Sequence, residues 1–167
     1  AGQLGNIDDE TRQAIEVEVT QLNTLVAQLA LVNKQLAKAV SADKQPPELL
    51  DQRDRVLQQI SALSRITTKF DAKGAVSVSL GDSMQSGLVL EAGFAKPLNV
   101  KFSDNADGKV DLVIDLYGKN PKGLASLGSG EVGGLLAFRE QVLTPARNAL
   151  DDLAKPFVSE VNAIHRD

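Results

Sequence analysis

Few residues in this 167-residue chain have the type and spacing to do chemistry. His165 is the single histidine. A hydrolytic triad needs an imidazole beside a nucleophile and a carboxylate. His165 instead closes a helical stretch, and Gly81-Asp82-Ser83-Met84 lacks the nucleophile-elbow pattern. The chain has no cysteine, which excludes disulfides, thiolate zinc sites and cysteine nucleophiles together. Gly128-Ser129-Gly130-Glu131-Val132-Gly133 matches G-x-G-x-x-G. A dinucleotide site needs a buried strand directly before that motif and a parallel strand after its helix. Here a Gly/Ser-rich link precedes it, no strand follows, and Glu131 would repel a pyrophosphate. The motif therefore reads as a link entering a helix. Ser103 to Gly108 has the polar composition of a calcium loop. Setting Gly108 at the sixth position puts Ser103 first and Ile114 twelfth, where acids are required. It reads as a solvated hairpin turn. The acid pairs Asp51/Asp54 and Asp151/Asp152 fall on helix surfaces, where such residues solvate the face or pair with arginine. The expectation is a chain with no catalytic, cofactor-binding or metal-binding residue.

Composition narrows the classes further. Hydrophobic residues make up 43% and charged residues 24%, as in a folded protein rather than a disordered one. The net charge of -4 disfavours phosphate backbones and anionic bilayers, so neither nucleic acid nor membrane is an expected partner. No stretch reaches the roughly 20 apolar residues of a membrane span. Aromatics are only 4%, with no tryptophan, which suits a core of Leu, Val and Ala better than a ligand pocket. The start Ala1-Gly2-Gln3 has neither Met nor a basic region before an apolar run, which suggests a fragment of a longer protein.

The elements that would position any site begin with a helix over about 8–41, with Asp8 and Asp9 at its start, where acids are favoured. Ile15, Val19, Leu22, Val26, Leu29, Asn33, Leu36 and Val40 step by four and three along it, the heptad seam of helices packed at a shallow angle. Leu25, Ala30, Val32 and Ala37 widen the seam enough for a second partner. Asn33 interrupts it, either fixing register or sitting as a tolerated polar residue at the edge. Pro47 suits the first turn of a second helix over 47–64, with Leu49, Val56, Ile60 and Leu63 on one face, Leu50 and Leu57 beside them, and Arg53 in the stripe. Asp51 and Asp54 lie close to that arginine in sequence, and a glutamate or Asn33 of another helix is within its reach. The short link makes the two helices antiparallel neighbours.

After Arg65 the period becomes two. Strands are expected around 66–70, 76–80, 88–90, 98–102 and 110–116, with Asp107-Gly108 as a hairpin turn. Their order suggests an antiparallel meander or small sandwich. A last helix over about 131–165 carries Val132, Leu135, Leu136, Arg139, Val142, Leu143, Ala146, Leu150, Leu153, Phe157, Val161 and Ile164. Pro145 and Pro156 predict kinks, or a break near Thr144. The fold class is α+β: an antiparallel bundle of three long helices with an inserted antiparallel β domain. The helical domain is discontinuous, 1–64 plus 129–167, and the insertion is 65–128. The helix-packing core is expected to hold Val19, Leu22, Val26, Leu29, Leu36, Leu50, Arg53, Leu57, Ile60, Leu135, Arg139, Val142, Leu153 and Phe157.

Three segments carry a family resemblance. They are Leu49-Leu50-Asp51-Gln52-Arg53-Asp54, the run from Gly130 through Gly133-Gly134-Leu135-Leu136 to Phe138-Arg139, and Leu150-Asp151-Asp152-Leu153-Ala154 followed by Val161-Asn162-Ala163-Ile164-His165. In order and spacing the chain resembles the flagellar hook-associated protein 1 family, with Val132 where the family commonly has leucine. The resemblance is to the central part only, without the terminal tube-forming segments. It implies an extracellular structural component of the bacterial flagellum, an adaptor at the hook–filament junction, exported without a cleaved signal peptide and not an enzyme. Its implied partners are the hook protein, the second junction protein and copies of itself in the full-length protein. No cofactor is implied, and the fragment alone is expected to be monomeric. A surface-exposed binding or adhesin module on a helical stalk is the alternative, resting on the strands and the loops near Asn105 and Asn120.

Overall fold

The computed structural model describes residues 2–103, 109–124 and 127–164. Its first helix, α1, spans Gly2–Ala37, about 54 Å at 1.5 Å per residue. It starts six residues before the expected point, so Asp8 and Asp9 are not at its N-terminus. Asp8 lies inside the helix and is buried. The heptad seam is kept: Ile15, Val19, Leu22, Val26, Leu29, Asn33 and Leu36 are all buried, widened by Leu25, Ala30 and Val32. Val40 falls outside the seam. The helix ends at Ala37, and Val40 is 88% exposed beyond it. The end is fixed from outside, because Gln45 Nε2 donates to the Leu36 carbonyl (2.9 Å) and Lys73 Nζ to that of Ala37 (3.1 Å). These capture carbonyls that a helix terminus leaves without partners.

A short 3₁₀ turn, Ala42–Lys44, leads to α2, Pro47–Leu63, with its proline in the first turn as the sequence predicts. Val56, Ile60 and Leu63 are buried against α1 and the sheets. Ser64 then turns the chain into extended backbone.

Seven strands follow among the described residues: β1 Ile66–Phe70, β2 Val76–Leu80, β3 Leu88–Glu91, β4 Phe94–Ala95, β5 Leu98–Phe102, β6 Val110–Ile114 and β7 Lys122–Leu124. They form two antiparallel meanders, β1-β2-β3-β4 and β5-β6-β7. β4 and β7 are the two that alternation did not reveal. β4 is made by a two-residue turn in which Ala92 and Gly93 both take positive φ (46° and 88°), a hairpin geometry usually signalled by Asn-Gly or Asp-Gly. β7 lies inside the Gly-rich link. The Asp107-Gly108 turn is outside the described residues, but its flanks pair as a hairpin, Phe102 opposite Val110.

The last helix returns along α1 as three segments: α3 Glu131–Phe138, a π turn Arg139–Leu143 and α4 Thr144–Ile164. Glu131 stands by Glu18 and Arg139 by Asp8, so it runs antiparallel to α1. The expected break near Thr144 is absent, and helix continues through Pro145 and Pro156. The irregularity is instead the π turn just ahead of Pro145, where the Thr144 N–H bonds the Arg139 carbonyl five residues back. A proline at 145 has no N–H for the carbonyl of Gln141 and crowds it, and one wide turn makes room. One apolar cluster, from Ile15 on α1 through Val78 and Ile114 to Val132, joins the helices to both sheets.

Candidate functional site

Among the described residues, those whose side chains could do chemistry do not converge. Asp54 is held by Arg53 (2.7 Å) and Asp152 by Lys155 (3.0 Å), both at the surface. His165 and the Asp104–Gly108 segment lie outside the described residues. Among the described residues, no three His, Cys, Asp or Glu side chains are grouped to hold a metal, and no helix is long and apolar enough to cross a membrane. The G-x-G-x-x-G run has a packing explanation. Gly130 sits at φ 101°, and a Cβ there would stand 2.6 Å from the Leu63 carbonyl oxygen. A Cβ on Gly133 would stand 2.3 Å from the carbonyl oxygen of Gly128. Glycine lets the helix start press against the end of α2 and the link.

What the structure does build is a row of fastenings along α1. Asn33 is 1% exposed and grips the first residue of β2 with both ends of its amide: Nδ2 donates to the Val76 carbonyl (2.7 Å) and Oδ1 accepts the Val76 N–H (2.9 Å). Ten residues earlier, Asn23 grips the first residue of β5 in the same way, with both bonds to Leu98 at 2.8 Å. The amide group matches a backbone peptide donor for acceptor, so each asparagine closes the start of a strand that would otherwise bury open polar groups. Asn33 is thus neither an edge residue nor a partner for Arg53. It fixes the register of a sheet on the helix, not of helix on helix. Arg53 reaches the same turn end of that hairpin from α2, donating from Nη1 to the Gly74 carbonyl (2.7 Å) and lying over the Phe70 ring at 4.8 Å.

The return helix is fastened by charge. Arg139, 2% exposed, donates from Nε to Asp8 Oδ1 at 2.8 Å. Arg12 meets Asp8 Oδ2 at 3.1 Å and Arg147 approaches the same oxygen at 3.9 Å. Arg12 and Arg139 both lie over Phe102 of β5, at 5.2 and 5.4 Å from its centre, so helix, return helix and second sheet meet at one point. Buried charges persist when paired and hydrogen-bonded.

Of the residues expected in the helix-packing core, Val19, Leu22, Val26, Leu29, Leu36, Ile60 and Arg139 are buried. Leu50, Arg53, Leu57 and Leu135 are half-buried. Val142, Leu153 and Phe157 are at the surface, 53%, 74% and 70% exposed. For Val142 the reason is the π turn, whose extra residue turns the face by about 100° relative to a uniform helix. Leu153 and Phe157 lie on α4 beyond Leu150 and Asp151, the residues that stand beside Leu4 and Gly5 of α1. Asn23 and Asp8 are the fastening residues the sequence did not single out. Asn23 is off the seam, and Asp8 resembles an ordinary first-turn acid.

Residues 1–167 match the flagellar hook-associated protein FlgK helical domain over their whole length. The chain belongs to that family. It is 29% identical over 173 residues to flagellar hook-associated protein 1 of Salmonella typhimurium, covering 97% of this chain and 30% of the relative. Against the Escherichia coli K12 protein of the same description it is 28% identical, covering 98% and 30%. Against that of Bacillus subtilis it is 26% identical, covering 98% and 36%. The structure resembles that of the flagellar hook junction protein FlgK from Burkholderia pseudomallei, with a TM-score of 0.75 and 28% identity over 97% of this chain and 29% of that one. The chain thus spans about 30% of the length of the Salmonella and Escherichia relatives. Within the FlgK family match, Leu49–Asp54 opens α2, and Gly130–Arg139 is the tightly packed start of the return helix.

Proposed function

We propose that this chain is the helical stem of a flagellar junction protein, a structural adaptor between hook and filament that acts outside the cell and not as an enzyme. The carrying observation is the far half of α4. Leu153, Phe157, Val161 and Ile164 step by four and three along it, and all four are exposed. Folded proteins seldom leave such a contiguous apolar face to water, and where they do it marks a contact. On this reading the rest of the full-length protein and its neighbours in the flagellum supply the covering surface: the hook protein on one side, the second junction protein on the other, and further copies around the ring. The strand region 65–128 is an insertion into a discontinuous helical unit, 1–64 with 129–167, and shares its core. On this reading the isolated chain of 17.8 kDa is expected to sediment as a monomer.

The test is cosedimentation of the full-length protein with isolated hooks. The wild type binds hook ends. Leu153→Asp with Phe157→Asp abolishes binding while leaving the far-ultraviolet spectrum and melting of the 167-residue chain unchanged. A wild type that leaves hooks bare, or a double variant that binds equally well, overturns the proposal.

A further inference from the structure

Two acids close the joint where the return helix begins. Glu131 is the first residue of α3, where the free N–H groups of a helix start favour an anion. Glu18 faces it from α1, with the two carboxyls in hydrogen-bonding reach. Glu18 Oε2 is sealed from solvent and meets no donor among the described residues. Two ionised carboxylates so placed present only acceptors to each other. One proton between them replaces that repulsion with a charge-assisted hydrogen bond, one of the strong kinds.

Glu131 is exposed, so water reaches its carboxylate, while the sealed oxygen of Glu18 has no such relief. Gly130 packs on the Leu63 carbonyl and Gly133 on that of Gly128, so the helix start is closely fitted and moves only by giving up this packing. On α1 the residues one turn away, Ala14, Ile15, Gln21 and Leu22, are uncharged, as are the last turn of α2, Gln59 to Leu63, and the link Leu127 to Gly130. Arg65, just ahead of β1, is taken by Asp82 at 2.6 Å. Lys101 of β5 is exposed to solvent.

We propose that Glu18 and Glu131 form a proton-operated latch between α1 and the return helix, clamping the start of that helix when they share a proton and pushing it away when they lose it. Burial first, then the charge of Glu131 and the hydrogen bond to it, hold the Glu18 carboxyl above the usual range. The direction follows from linkage. A glutamate whose folded pKa is raised leaves the fold unpenalised below its ordinary value of 4.5, and the fold loses stability as pH climbs from there through the raised value. The latch is shut in acid and opens toward neutrality.

The test uses the intact 167-residue chain from pH 4 to 8. Amide exchange of Gly134, whose N–H bonds the Gly130 carbonyl at 2.8 Å, is followed after correction for intrinsic rates, together with the urea midpoint. In the wild type, Gly134 protection falls as pH rises, about tenfold for each unit by which the Glu18 carboxyl is raised. In Glu18→Gln it stays flat, and that variant matches the wild type near pH 4 but has the higher urea midpoint at pH 8. Glu131→Gln flattens the profile likewise. A carbon-13 titration of the wild-type Glu18 carboxyl, independent of any variant, places its midpoint above that of an ordinary glutamate. Parallel pH profiles in wild type and Glu18→Gln, or an ordinary Glu18 midpoint, overturn the proposal.

Discussion

Replacing Asn33 by alanine removes both hydrogen bonds that start β2 on α1, at 2.7 and 2.9 Å. Val76 is 1% exposed, so water cannot take the place of the lost amide unless the core opens. Each buried backbone group left unmatched costs about 1–3 kcal/mol, which puts Asn33→Ala at about 2–6 kcal/mol. That is a large part of the 5–15 kcal/mol or so that stabilises a typical domain. Asn33→Leu separates hydrogen bonding from packing. It refills the volume but leaves the same two groups unmatched, so it should fall in the same range. Asn23→Ala breaks the equivalent pair at Leu98, but Asn23 is only half-buried and water can substitute, so about 1–2 kcal/mol is expected. The assay is urea unfolding followed by circular dichroism, with the midpoint moving and the slope unchanged. Amide exchange of Val76 reports the site itself. A cost below about 0.5 kcal/mol for Asn33→Ala, the level of an ordinary surface change, would refute the reasoning, as would a cost no larger than that of Asn23→Ala.

Four further outcomes rest on the same geometry, each read by urea or thermal unfolding of the chain. Leu29→Ala, at a fully buried seam position, should cost about 2–5 kcal/mol. Asp8→Ala should cost about 3 kcal/mol, the lower part of the range for breaking a buried ion pair, because the Asp8 side chain keeps 13% exposure. Gly130→Ala should cost more than about 2 kcal/mol, from a positive φ plus collision with the Leu63 carbonyl. Gly134→Ala has nothing within 4 Å of the new Cβ and should stabilise by about 0.4–1 kcal/mol.

The sequence conveyed what repeats with a period. The seam of α1 was legible because a step of four and three persists over about six turns, and α2 because Pro47 marks its start. Alternation showed the longer strands but not β4, whose turn is built on Ala92 rather than a residue that favours positive φ, nor β7, three residues long. Asn33 announced itself by breaking the seam. Its partner, 43 residues away, left no trace in local pattern, and Asn23 broke nothing. Asp8 was hidden by its own type, since an acid near a helix start has an ordinary explanation. Periodicity also reveals an apolar face without saying what covers it. The stripe on the return helix was therefore visible, while the exposure of Leu153 and Phe157 was not.

The central claim is that α1 is a spine to which both sheets and the return helix are fastened. Native-state hydrogen exchange in rising urea tests it most directly. The slowest amides of α1 between Ile15 and Leu36, of β2 and of β6 should converge on one unfolding free energy with one denaturant dependence. Strand amides that open separately, with a smaller slope while α1 stays protected, would contradict it.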